Sequence, residues 1–346
     1  SIKIRENEAM LDKVIKPYDK LRTLLADDLD RVSELIQFRM KSKHAPLISD
    51  ISSHLISSGG KRLRPLLTLA SAQLCGYKGN QIIKLAATVE FIHTATLLHD
   101  DVVDESDKRR GKSSVNILWD NSSSVLVGDY LFARSFQLMT EVGRLDILEI
   151  LSDASARIAE GEVLQLTAAE NIATTQDVYY KIVKGKTAAL FAASLEVGAM
   201  LADADTKIRA SLYEYVDALG TSFQIADDIL DFVGNEEEVG KKVGDDFRER
   251  KLTLPMIHAI SRANERELKF WRRTLEDGEQ DKNAFGEALR ILNGTSSIDY
   301  AKKTAINLSQ KAKETLSILP NSCLLYTSPS PRDQRGSGVA AWGCKK

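Results

Sequence analysis

The 346-residue sequence predicts an all-α protein built as one large helical bundle. Three observations carry that prediction. Only four prolines, Pro17, Pro46, Pro65 and Pro255, interrupt the first 300 residues, where Ala, Leu, Ile, Glu and Lys dominate. Between Asp146 and Ala169 the apolar residues Ile147, Leu148, Leu151, Ala154, Ile158, Ala159, Val163 and Leu166 recur at steps of mostly three and four, which makes one helical face and not a strand. The segment Leu85–Leu98 is apolar nearly all round, as a helix enclosed by other helices must be. Runs of alternating β-branched residues and internal repeats are absent.

Composition narrows the function. With 43% hydrophobic and 28% charged residues the chain is ordinary for a globular protein, and its formal net charge of −2 argues against nucleic acid as a partner. A small anionic substrate stays open, because it needs only a local cluster of cations. Cys75, Cys323 and Cys344 show no metal-type pairing, so neither a zinc site nor a disulfide framework is expected and a reducing compartment fits. No uninterrupted apolar run approaches the roughly 18–20 residues that cross a bilayer. The N-terminal stretch SIKIRENEAMLDKVIKPYDK mixes acids with bases and lacks an apolar signal core. A cytoplasmic location is the expectation, or a mitochondrial one if a leader precedes Ser1.

The pattern breaks near Cys323. CLLYTSPSPRDQRGSGVAAWGCKK has no helical period and holds two of the three cysteines and two of the seven prolines. The chain therefore divides into a body, residues 1–320, and an atypical tail, 321–346, either disordered or not native coding sequence.

Two acidic clusters sit where carboxylates are costly. Asp100, Asp101 and Asp104 lie in HTATLLHDDVVDESDKRRG, and Asp227, Asp228 and Asp231 in FQIADDILDFVGN, each a D-D-x-x-D closing an apolar helix. Residues four apart share a helix face, so Asp100 projects with Asp104 and Asp227 with Asp231. The C-terminal pole of a helix is already negative and disfavours each added carboxylate by about 0.3–1 kcal/mol. One such cluster reads as a solvated helix end; two demand a compensating cation, and all-oxygen ligands point to a hard ion such as Mg²⁺. Neither cluster has the spacing of an EF-hand loop, and no second histidine stands one turn from His99.

Three basic groupings accompany the acids: Gly59-Gly60-Lys61-Arg62-Leu63-Arg64-Pro65, Arg109-Arg110-Gly111, and Lys186-Thr187 within KIVKGKTAALF. Each alone reads as a surface patch. Beside two metal-type clusters they suggest two diphosphates, one held through metal and one by basic side chains, since the arginine fork suits phosphate and lysine acts as a point charge. Elsewhere the bland readings stand. Glu162 and Gln165 are expected to bond between helices, Asp129 to cap the helix after Gly128, and His44, His54 and His258 to be structural or superficial.

GGKRLRP, LLHDDVVDESDKRRG, GDYLFARSF, GEVLQL, KTAALF, FQIADDILDF and GKKVGDD…KLTLP occur in the order found in trans-isoprenyl diphosphate synthases. The resemblance runs from about residue 20 to 320 and is strongest to the long-chain synthases, octaprenyl to decaprenyl, that make the ubiquinone side chain. It implies antiparallel helices around a deep central cavity, the isoprenoid synthase fold, as a homodimer touching the membrane peripherally for product release. It implies Mg²⁺, three ions with substrate bound and Mn²⁺ as an alternative, held by Asp100, Asp104 and Asp227 with Asp101, Asp228 and Asp231 in support. Lys61, Arg64, His93 and Arg110 match the isopentenyl diphosphate site. Arg109, Lys186, Thr187, Gln224 and Lys241 match contacts to the allylic diphosphate, farnesyl or geranylgeranyl diphosphate, and Asp100, Asp104, Asp227 and Lys186 would be the catalytic set.

Small residues at Ala95 and Thr96, beneath Asp100, match positions where the family sets product length, and imply an open channel. Two departures stand out. The family usually has Gly-Lys before T-L-P where this chain has Arg250-Lys251, which counts against a phosphate role for Lys251, and the odd tail replaces the family's last helix. A class I terpene cyclase would carry an N-x-x-x-S-x-x-x-E motif, absent around Asp227, and a non-catalytic partner subunit would have lost acidic motifs that are intact here.

Overall fold

The computed structural model describes residues 19–60, 62–106, 108–109, 112–234 and 243–318, with backbone alone at 108, 109 and 318. The tail 321–346, Lys61, Arg110, Lys241 and the Arg109 side chain lie outside the described residues.

Helix follows helix, as the scarcity of proline dictates. The order is α1 (Ala26–Arg39), α2 (Pro46–Ser57), α3 (Leu63–Leu74), α4 (Gln81–Val103), β1 (Lys108–Arg109), β2 (Lys112–Ser113), α5 (Val115–Leu118), α6 (Asn121–Val142), α7 (Leu145–Ala168) and α8 (Gln176–Val183). A π-helical turn (Lys184–Ala188) leads into α9 (Ala189–Leu201), α10 (Thr206–Val233), α11 (Asp245–Arg248), α12 (Leu254–Ser261) and α13 (Glu265–Trp271). A second π turn (Arg272–Glu276), α14 (Ala284–Gly294) and α15 (Ser297–Thr315) complete it. The all-α expectation holds. The one strand pairing among the described residues is the two-residue antiparallel ribbon β1–β2, in which Lys108 faces Ser113 and Arg109 faces Lys112.

The periodic segment read at Asp146–Ala169 is α7, and the apolar segment Leu85–Leu98 is the centre of α4. Leu85, Ala86, Val89, Phe91, Ile92 and Leu98 are each at most 1% exposed although they fall on every side of α4, so this helix is enclosed by its neighbours. Each of these side chains larger than alanine contributes about 1.5–3 kcal/mol on leaving water. One core joins α1–α4 to α6, α7 and α9, and a second gathers α8 and α10–α15 around Trp271 and Phe247. The long α10 runs beside both α9 and α15.

Helix starts follow side-chain chemistry. Asp120 accepts from the Ser123 N–H (2.6 Å) at the start of α6, and Asp205 from Ile208 (2.9 Å) at the start of α10. Asp129 does not cap a helix as the sequence suggested. It lies inside α6, because that helix begins eight residues earlier at Asn121, and it pairs with His99 Nε2 at 3.3 Å.

Candidate functional site

Both acidic motifs end their helices, as their spacing required. Asp100 and Asp101 occupy the last turn of α4, and Asp104 is its C-cap residue, its N–H bonded to the Asp100 carbonyl at 2.8 Å. Asp227, Asp228 and Asp231 occupy the last two turns of α10. Burial separates the members. Asp101, Asp228 and Asp231 are 2%, 5% and 1% exposed, whereas Asp100 and Asp227 are half-buried and Asp104 is exposed.

Protein donors occupy the buried members of the second motif. Asp228 Oδ1 accepts from Gln224 Nε2 (2.9 Å) and Oδ2 from the Tyr179 hydroxyl (2.5 Å). Burial, reinforced by the Asp228 charge, pushes the Tyr179 phenol well above its ordinary pKa, so it stays a donor. A carboxylate only accepts, so Gln224 must turn its amide NH₂ to Asp228. Its oxygen then accepts from the Thr187 hydroxyl at 3.2 Å. Asp231 Oδ2 accepts the Asp246 N–H (3.0 Å) and its carbonyl the Gly244 N–H (2.6 Å), which ties the start of α11 to the end of α10.

Lys186 and Thr187 do not lie in a regular α-helix. They occupy the π turn 184–188, a distortion that recurs at functional sites. The turn is held by close backbone contact with α7: a Cβ at Gly161 would stand 2.9 Å from the Lys186 nitrogen, and one at Gly185 2.6 Å from the Arg157 carbonyl. Lys186 Nζ donates to Glu162 Oε2 and Gln165 Oε1, both at 3.0 Å. Glu162 and Gln165 thus bond between elements, as read from sequence, and their partner is the lysine singled out there.

The two motifs are linked through Asp245–Lys251. Asp231 anchors Asp246, the Asp246 carbonyl accepts the Lys251 N–H at 2.9 Å, and Lys251 Nζ stands 4.0 Å from Asp104 Oδ1 and 2.8 Å from Glu249 Oε2. Arg250 adopts the left-handed φ of 57° that glycine adopts most readily and is held there by Glu170 at 2.6 Å. This left-handed bend delivers Lys251 to the first motif. Sequence reasoning had set Lys251 aside and had not found Tyr179. The available signal for Tyr179 was a hydroxyl on the buried face of the amphipathic segment just before Lys186.

Two turns before Asp100 on α4, His93 Nε2 lies 3.0 Å from Arg64 Nη1, and the Arg64 guanidinium lies 4.1 Å above the Phe191 ring. A guanidinium only donates, so His93 Nε2 is the acceptor. Arg62, at φ 48°, pairs with Glu90 at 3.5 Å. His54, Gly59, Gly60, Arg62, His93 and Asp101 line one open pocket here. Ala95 is 1% exposed, and Thr96 is half-buried with its hydroxyl donated to the His93 carbonyl at 2.7 Å. Among the described residues, no three His, Cys, Asp or Glu side chains converge as a group able to hold a metal ion by themselves. No described helix is long and apolar enough to cross a membrane.

The chain is similar to known proteins in sequence and in fold. The family model described as "Polyprenyl synthetase" matches residues 45–292. The octaprenyl diphosphate synthase of Escherichia coli is 40% identical over 304 residues, 88% of this chain and 94% of that protein. The solved decaprenyl diphosphate synthase from Rhodobacter capsulatus superposes with a TM-score of 0.87 at 53% identity, covering 90% of this chain and 96% of that one. A solved polyprenyl synthase from Caulobacter crescentus, complexed with calcium and isoprenyl diphosphate, gives 0.84 at 44% identity over 95% and 98%. On its helices, its paired acidic motifs and this likeness, the chain belongs to the polyprenyl synthetase family.

Proposed function

We propose that the protein is a long-chain trans-polyprenyl diphosphate synthase, adding isopentenyl diphosphate units 1′-4 onto an allylic diphosphate. The observation that carries this reading is the link from Asp231 through Asp246 and Lys251 to Asp104, which joins the ends of α4 and α10. Two carboxylate groups and a lysine so placed suit a metal-bound diphosphate better than a solvated surface.

The donor set fits a hard divalent ion. Asp100, Asp104 and Asp227 are the less buried carboxylates and would be the ligands, while Asp101, Asp228 and Asp231 support them from within. All-oxygen donors suit Mg²⁺, an ion that completes its shell with water and substrate phosphate oxygens. Bound there, it supplies Lewis-acid neutralisation of the departing diphosphate.

The chain's own residues do the rest. Lys186 and Lys251 place fixed positive charge beside the allylic diphosphate, and Gln224 with Thr187 orients it. Arg64 and His93 hold isopentenyl diphosphate so that its double bond faces the allylic carbon, and catalysis is mainly positioning and preorganised charge. Lys61, Arg109, Arg110 and Lys241 join these roles by resemblance. Farnesyl or geranylgeranyl diphosphate is the proposed primer, and the product's use as a quinone side chain belongs to the same reading. Exposed Leu126, Phe136, Leu145, Val163 and Leu166 on α6 and α7 support pairing of two copies as a homodimer.

Purified chain given radiolabelled isopentenyl diphosphate, an allylic primer and Mg²⁺ should form a solvent-extractable polyprenyl product. No elongation without a second subunit, or a cyclic hydrocarbon product, overturns the reading.

A further inference from the structure

The β1–β2 ribbon has two residues per strand and cannot hold its own place, since even a longer isolated hairpin is marginal in water. Its position is set by what ties it down, and the ties run to both flanks of the pocket. His54 Nε2 lies 3.1 Å from the Ser113 carbonyl; a carbonyl only accepts, so this nitrogen carries the proton. Trp119 meets the His54 ring edge-on, centroids 5.7 Å apart, and fixes its plane. Lys112 Nζ donates to the Ser57 carbonyl at 2.8 Å, a cation at the negative end of α2. Beyond the ribbon, Asn116 Nδ2 donates to the carbonyls of Asp101 and Ser106, both at 3.2 Å. One continuous strap therefore joins the end of α2, which runs into Gly59-Gly60, to the first acidic motif.

We infer that His54, seconded by Lys112, is a positioning residue for isopentenyl diphosphate, fixing the distance between the glycine-led segment that follows α2 and the ribbon that follows α4. His54 lines the pocket together with Arg62 and His93, so the strap borders the space it would regulate. The inference rests on reading that pocket as the isopentenyl diphosphate site. It extends that reading to a histidine without a part in the phosphate contacts.

Calorimetry of isopentenyl diphosphate binding without primer, and steady-state kinetics with saturating primer, test it on the full chain. His54→Ala should weaken isopentenyl diphosphate affinity, and raise its KM, about five- to tenfold, the loss of one hydrogen bond. The KM for primer and kcat should stay within about twofold. His54→Gln, whose amide nitrogen also donates, should recover most of the loss. Lys112→Met, at an exposed position, should move affinity in the same direction with an unchanged melting temperature. Unchanged affinity in both His54→Ala and Lys112→Met, or losses in kcat and both KM values that merely track melting temperature, overturns the inference. A wild type that binds isopentenyl diphosphate through His54 yet never elongates a primer overturns the synthase reading alone, and a wild type that does not bind it overturns both.

Discussion

Lys251 Nζ stands 4.0 Å from Asp104 Oδ1, bringing a cation from the segment after α10 to the aspartate that caps α4. Burial works against its charge, but the hydrogen bond to Glu249 and then the charge of Asp104 prevail and raise its pKa. Lys251 is therefore a permanent cation at neutral pH. Lys251→Met should lower kcat/KM for the allylic primer by about 10²-fold, the scale of losing one preorganised electrostatic contact, with a smaller effect on isopentenyl diphosphate. Steady-state kinetics with each substrate varied in turn measures it, and equal losses for both substrates count against the assignment.

Gly161 makes a sharper demand. Any Cβ there would meet the Lys186 backbone nitrogen at 2.9 Å, with Gly185 just behind it. Gly161→Ala must push the π turn away from α7 and carry Lys186 out of reach of Glu162 and Gln165. A rise of about tenfold in primer KM together with a lowered melting temperature is expected, because overpacking costs on the order of 1–3 kcal/mol. Primer titration and thermal melts of the variant check both.

Product length offers a test in which two neighbouring residues behave differently. Ala95 is 1% exposed and belongs to the main core, whereas Thr96 is half-buried. Thr96→Phe should shorten the product with little change in melting temperature. Ala95→Phe should shorten it too, but with destabilisation of about 1–3 kcal/mol from overpacking. Chromatography of dephosphorylated products reads the first effect and thermal melts the second; a full-length product from both variants ends the channel reading.

His258 gives a pH dependence remote from the site. Its ring is buried, stacks on Tyr300 at 4.0 Å, bonds Ser297 Oγ through Nδ1 (2.8 Å) and accepts from Arg262 through Nε2 (3.1 Å). Burial first, and the Arg262 charge second, hold its pKa below the ordinary histidine value. Below about pH 6.5 the unfolded chain then binds a proton that the folded one refuses, so stability is fully present above that pH and falls as pH drops through it. Melting temperature should fall more steeply between about pH 7.5 and 5.5 for wild type than for His258→Gln, by a few degrees. Parallel slopes would exclude the residue as the source.

Much of the molecule was legible because its signals are local. The period of α7 and the all-round apolarity of α4 follow from spacing alone, and the acidic motifs stand out because like charges gather where helix ends are already negative. The resemblance assigns Arg64 and His93 to one substrate, and the structure brings the two side chains to 3.0 Å. What stayed hidden depends on partners far away in sequence. Tyr179 gains meaning only through Asp228, 49 residues on, and Lys251 only through Asp104. His54 looked idle because its acceptor is a backbone carbonyl, which leaves no mark in a side-chain pattern. Asp129 misled because glycine suggests a helix boundary, whereas Gly128 lies within α6, where a Cβ would strike His99.

The π turn at Lys184–Ala188 settles a conflict of helical phase. α8 must bury Tyr179 and Val183 on one side, and α9 must bury nearly its whole circumference from Ala189 to Leu201. A single unbroken α-helix would hold the two stretches at one fixed rotation, and the intervening lysine and threonine would inherit whatever azimuth was left. The wider turn lets these side chains be aimed separately from the apolar stretches around them. Deleting one residue from 184–188 would therefore force a choice between a sound hydrophobic interior and a lysine that meets its anion.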